Sequence, residues 1–206
     1  EALERLGRMG WLEADCSELV AQALRSEGAD GQWYLRHRQL WRLSPRQMEA
    51  YRLLTIWREG EARRRNLPRG WLVNDRVLYG IAERMPENRY QLAEVEEIKP
   101  GLIKRDGDTL LGLVKQATVA EVETLPPALP SPMDSAFKRR LKALKRVVNA
   151  EAQRLGLAPE VLLRRRELEA MVIADLKNVE LPLPGGWRGE CLAEALDDAL
   201  SEVNES

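Results

Sequence analysis

The sequence predicts an all-α fold made of two small helical bundles. Apolar residues make up 44% of the 206-residue chain and recur at helical spacing. No long stretch alternates apolar and polar residues, as a half-buried strand would. Residues 47–78 and 137–168 also run in parallel at a constant offset, with core-type residues at matching positions. A repeat of this length indicates that one helical domain was used twice.

The repeat also predicts the domain boundaries. We expect a helical lead-in over residues 1–43, a first bundle over 44–117 and a second bundle over 134–206. The segment between them, 118–133, holds four prolines and little apolar periodicity. Because proline-rich chain stays extended, we expect this segment to be a semi-rigid linker.

Start and stop signals place the helices of the first bundle. Ser44 and Pro45 predict a helix start, because Ser caps free amide groups and Pro fits the first helical position. We expect this helix to end near Arg65, and the next to run from Asp75, as N-cap, to Arg84. Shorter helices are expected over 90–97, 101–105 and 108–116.

The second bundle begins with a helix whose two faces differ in charge. With Phe137 at zero and about 100° per residue, Leu141, Leu144 and Val148 fall within about 40° of it. The other side carries a basic stripe formed by Lys138, Arg139, Lys142, Lys145 and Arg146. The next helix is expected to begin at Pro159, and an acidic helix over 189–202 is expected to end the bundle.

The basic residues are the candidates for binding nucleic acid. Phosphate contacts by Lys and Arg supply most non-specific affinity, although Arg runs on helices are often solvated and paired with acids one turn away. The net charge of −1 decides neither way, but the basic residues are concentrated ahead of residue 178. The candidates are Arg63, Arg64, Arg65, Lys104 and Arg105 in the first bundle, and the stripe with Arg164, Arg165 and Arg166 in the second.

No pattern in the sequence predicts a catalytic residue, a cofactor site or a metal site. Two-metal chemistry needs carboxylates that converge from separate elements. The pair Asp106 and Asp108 is instead expected at a helix start, and Asp197 and Asp198 on a solvated helix. His37 has no Ser or Cys partner nearby in sequence, so we expect a surface role for it.

Three aromatic residues could stack on bases or belong to the core. Trp57 falls on the predicted core face, and we favour the core for Trp71 and Tyr79 as well. Cys16 and Cys191 lack a C-x-x-C spacing, and no apolar run reaches membrane-spanning length. These features fit a reducing cytoplasm and give no reason to expect a membrane partner.

Both bundles resemble the HRDC domain. The first bundle carries the resemblance through Leu54, Trp57-Arg58, Ala62-Arg63, Asn66-Leu67-Pro68, Leu78, Ile81-Ala82, Lys104-Arg105-Asp106-Gly107 and Leu110-Leu111. Two such units in succession, followed by the sequence from Gly186 to Glu190, resemble the ribonuclease D family over nearly the whole chain. Asn66 and Asp106 depart from the family, which often has Asp and His there. We expect both departures to be neutral surface changes.

The resemblance implies a role in a 3′→5′ exoribonuclease. Its catalytic domain would precede these units and hold Mg²⁺ or Mn²⁺ with four carboxylates, so we expect this domain to lie outside the present sequence. The chain would then position RNA such as tRNA precursors, pack against that domain and release no nucleotides itself. Two alternatives stay open: a non-binding scaffold that shapes access to the catalytic domain, and the HRDC tail of a RecQ-like helicase.

Overall fold

Every regular element in the described part of the chain is helical. The computed structural model describes residues 2–26 and 33–204, and no strand occurs within these ranges. The predicted all-α class is therefore confirmed. The α-helices in chain order are α1 (Ala2–Arg5), α2 (Met9–Ser26), α3 (Pro45–Arg64), α4 (Arg69–Leu72), α5 (Asp75–Arg84), α6 (Arg89–Ala93), α7 (Pro100–Val119), α8 (Ser135–Leu155), α9 (Pro159–Leu162), α10 (Arg165–Leu176) and α11 (Gly186–Asn204).

The chain divides into two units. Gly28–Leu129 form the central unit, and Glu1–Glu27 together with Pro130–Ser206 form the split unit. The residues of the expected lead-in are therefore shared between the two units. α2 packs against α11, whereas the 3₁₀ turn at Trp33–Arg36 packs against α3.

The start of α3 follows the predicted signals. Pro45 is the first helical residue, and the Ser44 hydroxyl accepts a hydrogen bond from the Gln47 backbone N–H. The Gln47 side chain accepts in return from the Ser44 N–H at 2.8 Å, which completes a capping box. The helix ends as expected near Arg65, and Asn66 follows with a positive φ of 52°.

Two expected helix boundaries in the central unit are wrong. Asn74, rather than Asp75, caps α5, because its side chain accepts from the Val77 N–H at 2.8 Å. The two short helices expected over 101–105 and 108–116 form the single helix α7. Gly107 does not interrupt α7, since it has helical neighbours on both sides and lies against the buried side chain of Leu92.

The core of the central unit lies between α3, α5, α6 and α7. Leu54 of α3, Leu78 and Ile81 of α5, and Leu110 of α7 are fully buried. The following segment is partly packed on this unit, because Pro126 is buried and Leu129 contacts the core. Apolar residues at helical spacing therefore form the expected buried faces.

The split unit is built on α8, which packs against α10 and α11. Asp134 caps α8 by accepting from the Ala136 N–H at 2.8 Å, and Gly156 ends it with a left-handed φ of 64°. The helix expected from Pro159 is two helices: α9 makes one turn, and α10 begins at Arg165.

The two units share an order of helices. Each contains a long helix, a one-turn helix, a medium helix and a second long helix: α3, α4, α5 and α7 in the central unit, and α8, α9, α10 and α11 in the split unit. The short helix α6 belongs to the central unit alone, where the repeated sequence is longer.

Candidate nucleic-acid interface

The basic stripe of α8 faces solvent over its full length. Phe137, Leu144 and Val148 are buried on the opposite face, so the core interactions of α8 fix the direction of the stripe. All five stripe residues are exposed: Lys138, Arg139, Lys142, Lys145 and Arg146. The stripe spans about 12 Å along the helix axis at ~1.5 Å per residue.

Most charges of this stripe have no acidic partner within the part of the chain that the structure describes. Arg146 approaches Glu202 at 3.6 Å, and both side chains are largely exposed. The other four cations have no acidic partner among the described residues. Arg140 of the same helix differs, because its guanidinium donates to Asp175 at 2.5 Å and is largely buried. Arg140 therefore has a structural role, and its position on α8 distinguishes it from the stripe residues, which face solvent.

A shallow groove lies beside the stripe. It has a volume of about 430 Å³ and is lined by Arg139, Lys142, Ala143 and Arg146 of α8 and by Glu202 and Val203 of α11. Three cations on one wall give the groove a positive side. Such a surface can take a phosphate group, because Lys and Arg donate charge-assisted hydrogen bonds to phosphate oxygens.

Three of the five candidates in the central unit are committed to internal pairs. Arg64 donates to both carboxylate oxygens of Glu61, with Nε at 2.8 Å. Arg65 donates to Asp106 at 2.6 Å and also pairs with Glu61. Arg105 donates to Asp106 through Nε at 2.9 Å. These three side chains are held by acids that compete with any phosphate.

The pairs at the end of α3 have clear electrostatic effects. The hydrogen bond from Arg64, with help from Arg65, lowers the pKa of Glu61 to about 2. Asp106, expected on the surface near a helix start, is 6% exposed inside α7. Its pair with Arg65 ties α7 to the end of α3, so the expectation of a neutral surface change is wrong for Asp106.

Arg63 and Lys104 are the remaining candidates of the central unit. Both are exposed, and neither has an acidic partner among the described residues. In the split unit Arg165 pairs with Glu169 one turn away at 2.7 Å. The side chains of Arg164 and Arg166 are exposed and unpaired in the described part of the chain.

The burial of the three aromatic residues agrees only in part with expectation. Tyr79 is buried and Trp57 packs on the core, but Trp71 is 77% exposed, so the core expectation for Trp71 is wrong. The helix α4 makes a single turn and directs Leu72 inward, which leaves Trp71 outward. Pro68 lies only a few residues before the two apolar residues Leu72 and Val73. This spacing was the available sequence signal for a single turn that buries these two residues and leaves Trp71 exposed.

His37 is not a simple surface residue either. Its ring stacks on Tyr79 at a centroid distance of 4.7 Å and meets the edge of Tyr51 at 5.3 Å. The Gln39 N–H donates to Nδ1 of His37 at 3.3 Å. Burial lowers the pKa of His37, while Asp75 opposes that shift. The imidazole therefore packs the segment before α3 onto α3 and α5.

The acidic pairs that were considered as possible metal ligands are paired with arginine or exposed to solvent. Asp108 pairs with Arg89 at 2.7 Å, and Asp197 and Asp198 are exposed on α11. Within residues 2–26 and 33–204, no three His, Cys, Asp or Glu side chains converge as a metal site requires. Across the same residues, no helix has the length and apolar character of a membrane span.

Comparisons with known proteins give a domain match and a set of longer relatives. Residues 47–114 match the HRDC domain family. The chain is 36% identical over 199 residues to ribonuclease D of Pseudomonas paraeruginosa, covering 95% of this chain and 53% of the relative. It is 30% identical over 200 residues to ribonuclease D of Escherichia coli, covering 94% of this chain and 53% of that protein.

A solved structure shows the same relationship. The crystal structure of Escherichia coli RNase D, described as an exoribonuclease involved in structured RNA processing, superposes with a TM-score of 0.75 at 28% identity. The match covers 94% of this chain and 53% of that one. The chain thus spans about half the length of the relatives it matches. It is a homologue of ribonuclease D that carries an HRDC domain at residues 47–114.

Proposed function

We propose that this chain holds RNA for a ribonuclease D-like 3′→5′ exoribonuclease. The observation that carries the proposal is the stripe on α8, in which Lys138, Arg139, Lys142 and Lys145 are exposed without acidic partners in the described structure. Cations placed in this way contact phosphates and release the counterions condensed on them. The homology to ribonuclease D makes RNA the polyanion to test first.

The substrate we propose is structured RNA, including tRNA precursors. A stripe of about 12 Å on a straight helix matches a run of roughly three or four phosphates on one strand of a duplex. Contacts of this kind fix position without reading sequence, since phosphate carries no sequence information. The chain would therefore hold folded RNAs of different sequence.

We propose further that the split unit contains a second HRDC-type domain. The family match covers the central unit, at residues 47–114. The shared helix order and the repeated core positions support the extension to α8–α11. The units would then be alike in core packing and different in surface charge.

The chemical step would belong to an exonuclease domain. The resemblance implies four carboxylates there and Mg²⁺ or Mn²⁺ to activate water, and the acidic residues described in this chain do not converge to fit that group. The residues of this chain would orient the RNA and do no hydrolysis. Release of mononucleotides by the purified chain with Mg²⁺ or Mn²⁺ would contradict this division. We propose that the protein acts in the cytoplasm.

Titration with RNA at several salt concentrations tests the proposal. We expect the purified chain to bind single-stranded RNA and tRNA, with the logarithm of the binding constant falling linearly with the logarithm of salt concentration. Each phosphate contact contributes a slope of about −0.7 on single strands and about −0.9 on a duplex of B form. No binding at low salt would overturn the proposed function.

A second role is favoured by α2. Trp11 and Asp15 hold one side of α2 against α11, while the side chains of Leu12, Leu19, Val20 and Leu24 are exposed. Exposed apolar side chains on one helix indicate a surface that another protein segment covers. This helix would pack on the exonuclease domain and shape access to it. Absent RNA binding at low salt would leave this scaffold role as the main one.

A further inference from the structure

Trp71 differs from the other tryptophans whose side chains the structure describes. Trp11 and Trp187 stack on each other at 4.2 Å, Trp57 packs on the core, and Trp41 lies beneath the guanidinium of Arg42 at 5.1 Å. Trp71 is 77% exposed and has no ring or cation partner among the described residues. Leaving a large aromatic side chain in water forgoes the stabilisation that its burial would give.

The backbone beneath Trp71 is firmly held. Its N–H donates to the Pro68 carbonyl at 2.9 Å, and the next two residues, Leu72 and Val73, are buried. The Val73 carbonyl accepts from the buried guanidinium of Arg58 at 3.3 Å. The indole is therefore presented to solvent from a fixed backbone, which limits the entropy lost when a ligand binds.

The charge of the surrounding segment indicates which ligand fits. Residues 63–71 contain four arginines and no acidic residue. Arg63 is exposed and unpaired among the described residues, and Arg69 contacts Glu59 at 3.4 Å while remaining half exposed. An aromatic face with cations in the same segment matches single-stranded nucleic acid, in which a base stacks and the phosphates are neutralised.

The repeat supplies an internal contrast. The position equivalent to Trp71 is Val161, which is 43% exposed. Residues 153–161 contain one arginine, Arg154, which pairs with Glu151, and one glutamate. The aromatic face and the unpaired cation are thus confined to the central unit among the described copies of this turn.

We propose that Trp71 is a stacking site for an unpaired base of single-stranded RNA. This inference rests on the proposed RNA-holding function and assigns the central unit a different part of it. The α8 stripe binds phosphates of paired and unpaired RNA alike, whereas Trp71 requires a base that is free to stack. Arg63 and Arg69 neutralise the phosphates that flank this base.

The test compares Trp71→Ala with Tyr90→Ala. Tyr90 is also largely exposed, at 87%, but lies on α6 in a segment rich in glutamate, so it controls for loss of an exposed ring. Fluorescence anisotropy would follow binding of a short oligoadenylate, the same strand with abasic sites, and a blunt RNA duplex. Thermal unfolding by circular dichroism would check that each variant is folded.

We expect Trp71→Ala to weaken oligoadenylate binding about tenfold, equivalent to about 1.4 kcal/mol. Duplex binding and the slope with salt should stay unchanged, Trp71→Phe should restore most of the affinity, and Tyr90→Ala should have no effect. The wild-type chain should lose a similar factor on the abasic strand. Equal oligoadenylate binding by wild type and Trp71→Ala would overturn the stacking site while salt-dependent duplex binding kept the proposed function. No RNA binding by the wild-type chain would overturn both.

Discussion

Matching positions of α7 and α11 carry opposite charges. The sequence Asp106-Gly107 of the central unit aligns with Arg188-Gly189 of the split unit. Asp106 receives the guanidinium of Arg65 from the end of α3, whereas Arg188 donates to the carboxylate of Asp15 in α2, with Nη2 at 2.9 Å. The aligned position therefore joins α7 to the end of α3 in the central unit, whereas in the split unit it joins α11 to the additional helix α2.

The difference explains where free positive charge remains. In the central unit, Arg58, Arg64, Arg65 and Arg105 all have acidic partners. In the split unit, α8 uses Arg140 for the internal pair with Asp175, and four of the five stripe residues have no acidic partner among the described residues. A shared core therefore permits different surfaces, because the buried residues set the fold and the exposed ones are less constrained.

The largest loss of stability should come from removing the pair between Asp106 and Arg65, which joins α7 to the end of α3. Asp106→Ala leaves the guanidinium of Arg65 with Glu61 as its remaining partner in a mostly buried setting. We expect the free energy of unfolding to fall by about 3 kcal/mol, as for other broken buried pairs. Urea denaturation followed by circular dichroism measures it. Asp108→Asn breaks an exposed pair with Arg89 and should leave stability unchanged; equal losses in both variants would contradict a special role for Asp106.

The second-largest loss of stability should come from alanine substitution at one of the two aligned glycines, Gly107 and Gly189. A Cβ at Gly189 would collide with the backbone carbonyl oxygen of Pro184, so Gly189→Ala should destabilise the split unit by about 2 kcal/mol. A Cβ at Gly107 would meet Ile103 at 3.5 Å, an ordinary contact. Gly107→Ala should be tolerated or slightly stabilising, because Ala favours helix. Thermal melting of both variants makes the comparison, and a reversed order would refute it.

A smaller effect, the dependence of stability on pH, should distinguish the contacts of His37 in the central unit from the contacts of Asp15 in the split unit. The pKa of His37 is lowered by burial, so the unfolded chain takes up a proton first as pH falls below the ordinary value of 6.5. Stability is therefore full above that value and declines as pH falls through the folded pKa. The hydrogen bond from Arg188 lowers the pKa of Asp15, so the carboxylate in the split unit stays charged over the same range.

Urea midpoints measured from neutral to mildly acidic pH test this contrast. The wild-type chain should lose stability below the ordinary histidine pKa, and His37→Gln should remove most of that dependence. Near-ultraviolet circular dichroism of the Trp11–Trp187 stack should stay constant over the same range. A change in that signal that parallels the loss of stability would argue against separate attachments.

Most of the helices are predictable from the sequence because local rules determine them. The cap at Ser44 and the apolar face around Leu144 each depend on neighbours within one or two turns. The HRDC resemblance of the central unit is supported in the same way by its family match. Short-range signals are therefore sufficient for these features.

Long-range contacts account for what the sequence did not predict. Asp106 was expected at a surface because its partner Arg65 is distant in sequence, and that pair stabilises α7 where a break was expected. His37 lies between tyrosines of α3 and α5, which no local pattern indicates. The exposure of Trp71 depends on which neighbours of a one-turn helix are buried. The candidate cations likewise look alike in sequence, and tertiary partners separate Arg65 from Arg63.

The most direct test of RNA binding by α8 compares two triple variants with equal changes in charge. Lys138→Gln, Lys142→Gln and Lys145→Gln remove cations without an acidic partner among the described residues, whereas Arg64→Gln, Arg154→Gln and Arg165→Gln remove exposed cations that are already paired. The slope of log binding constant against log salt on single-stranded RNA is measured for both. We expect the slope to be shallower by about 2 for the lysine variant and to change little for the arginine variant. An unchanged slope in the lysine variant would contradict RNA binding by α8.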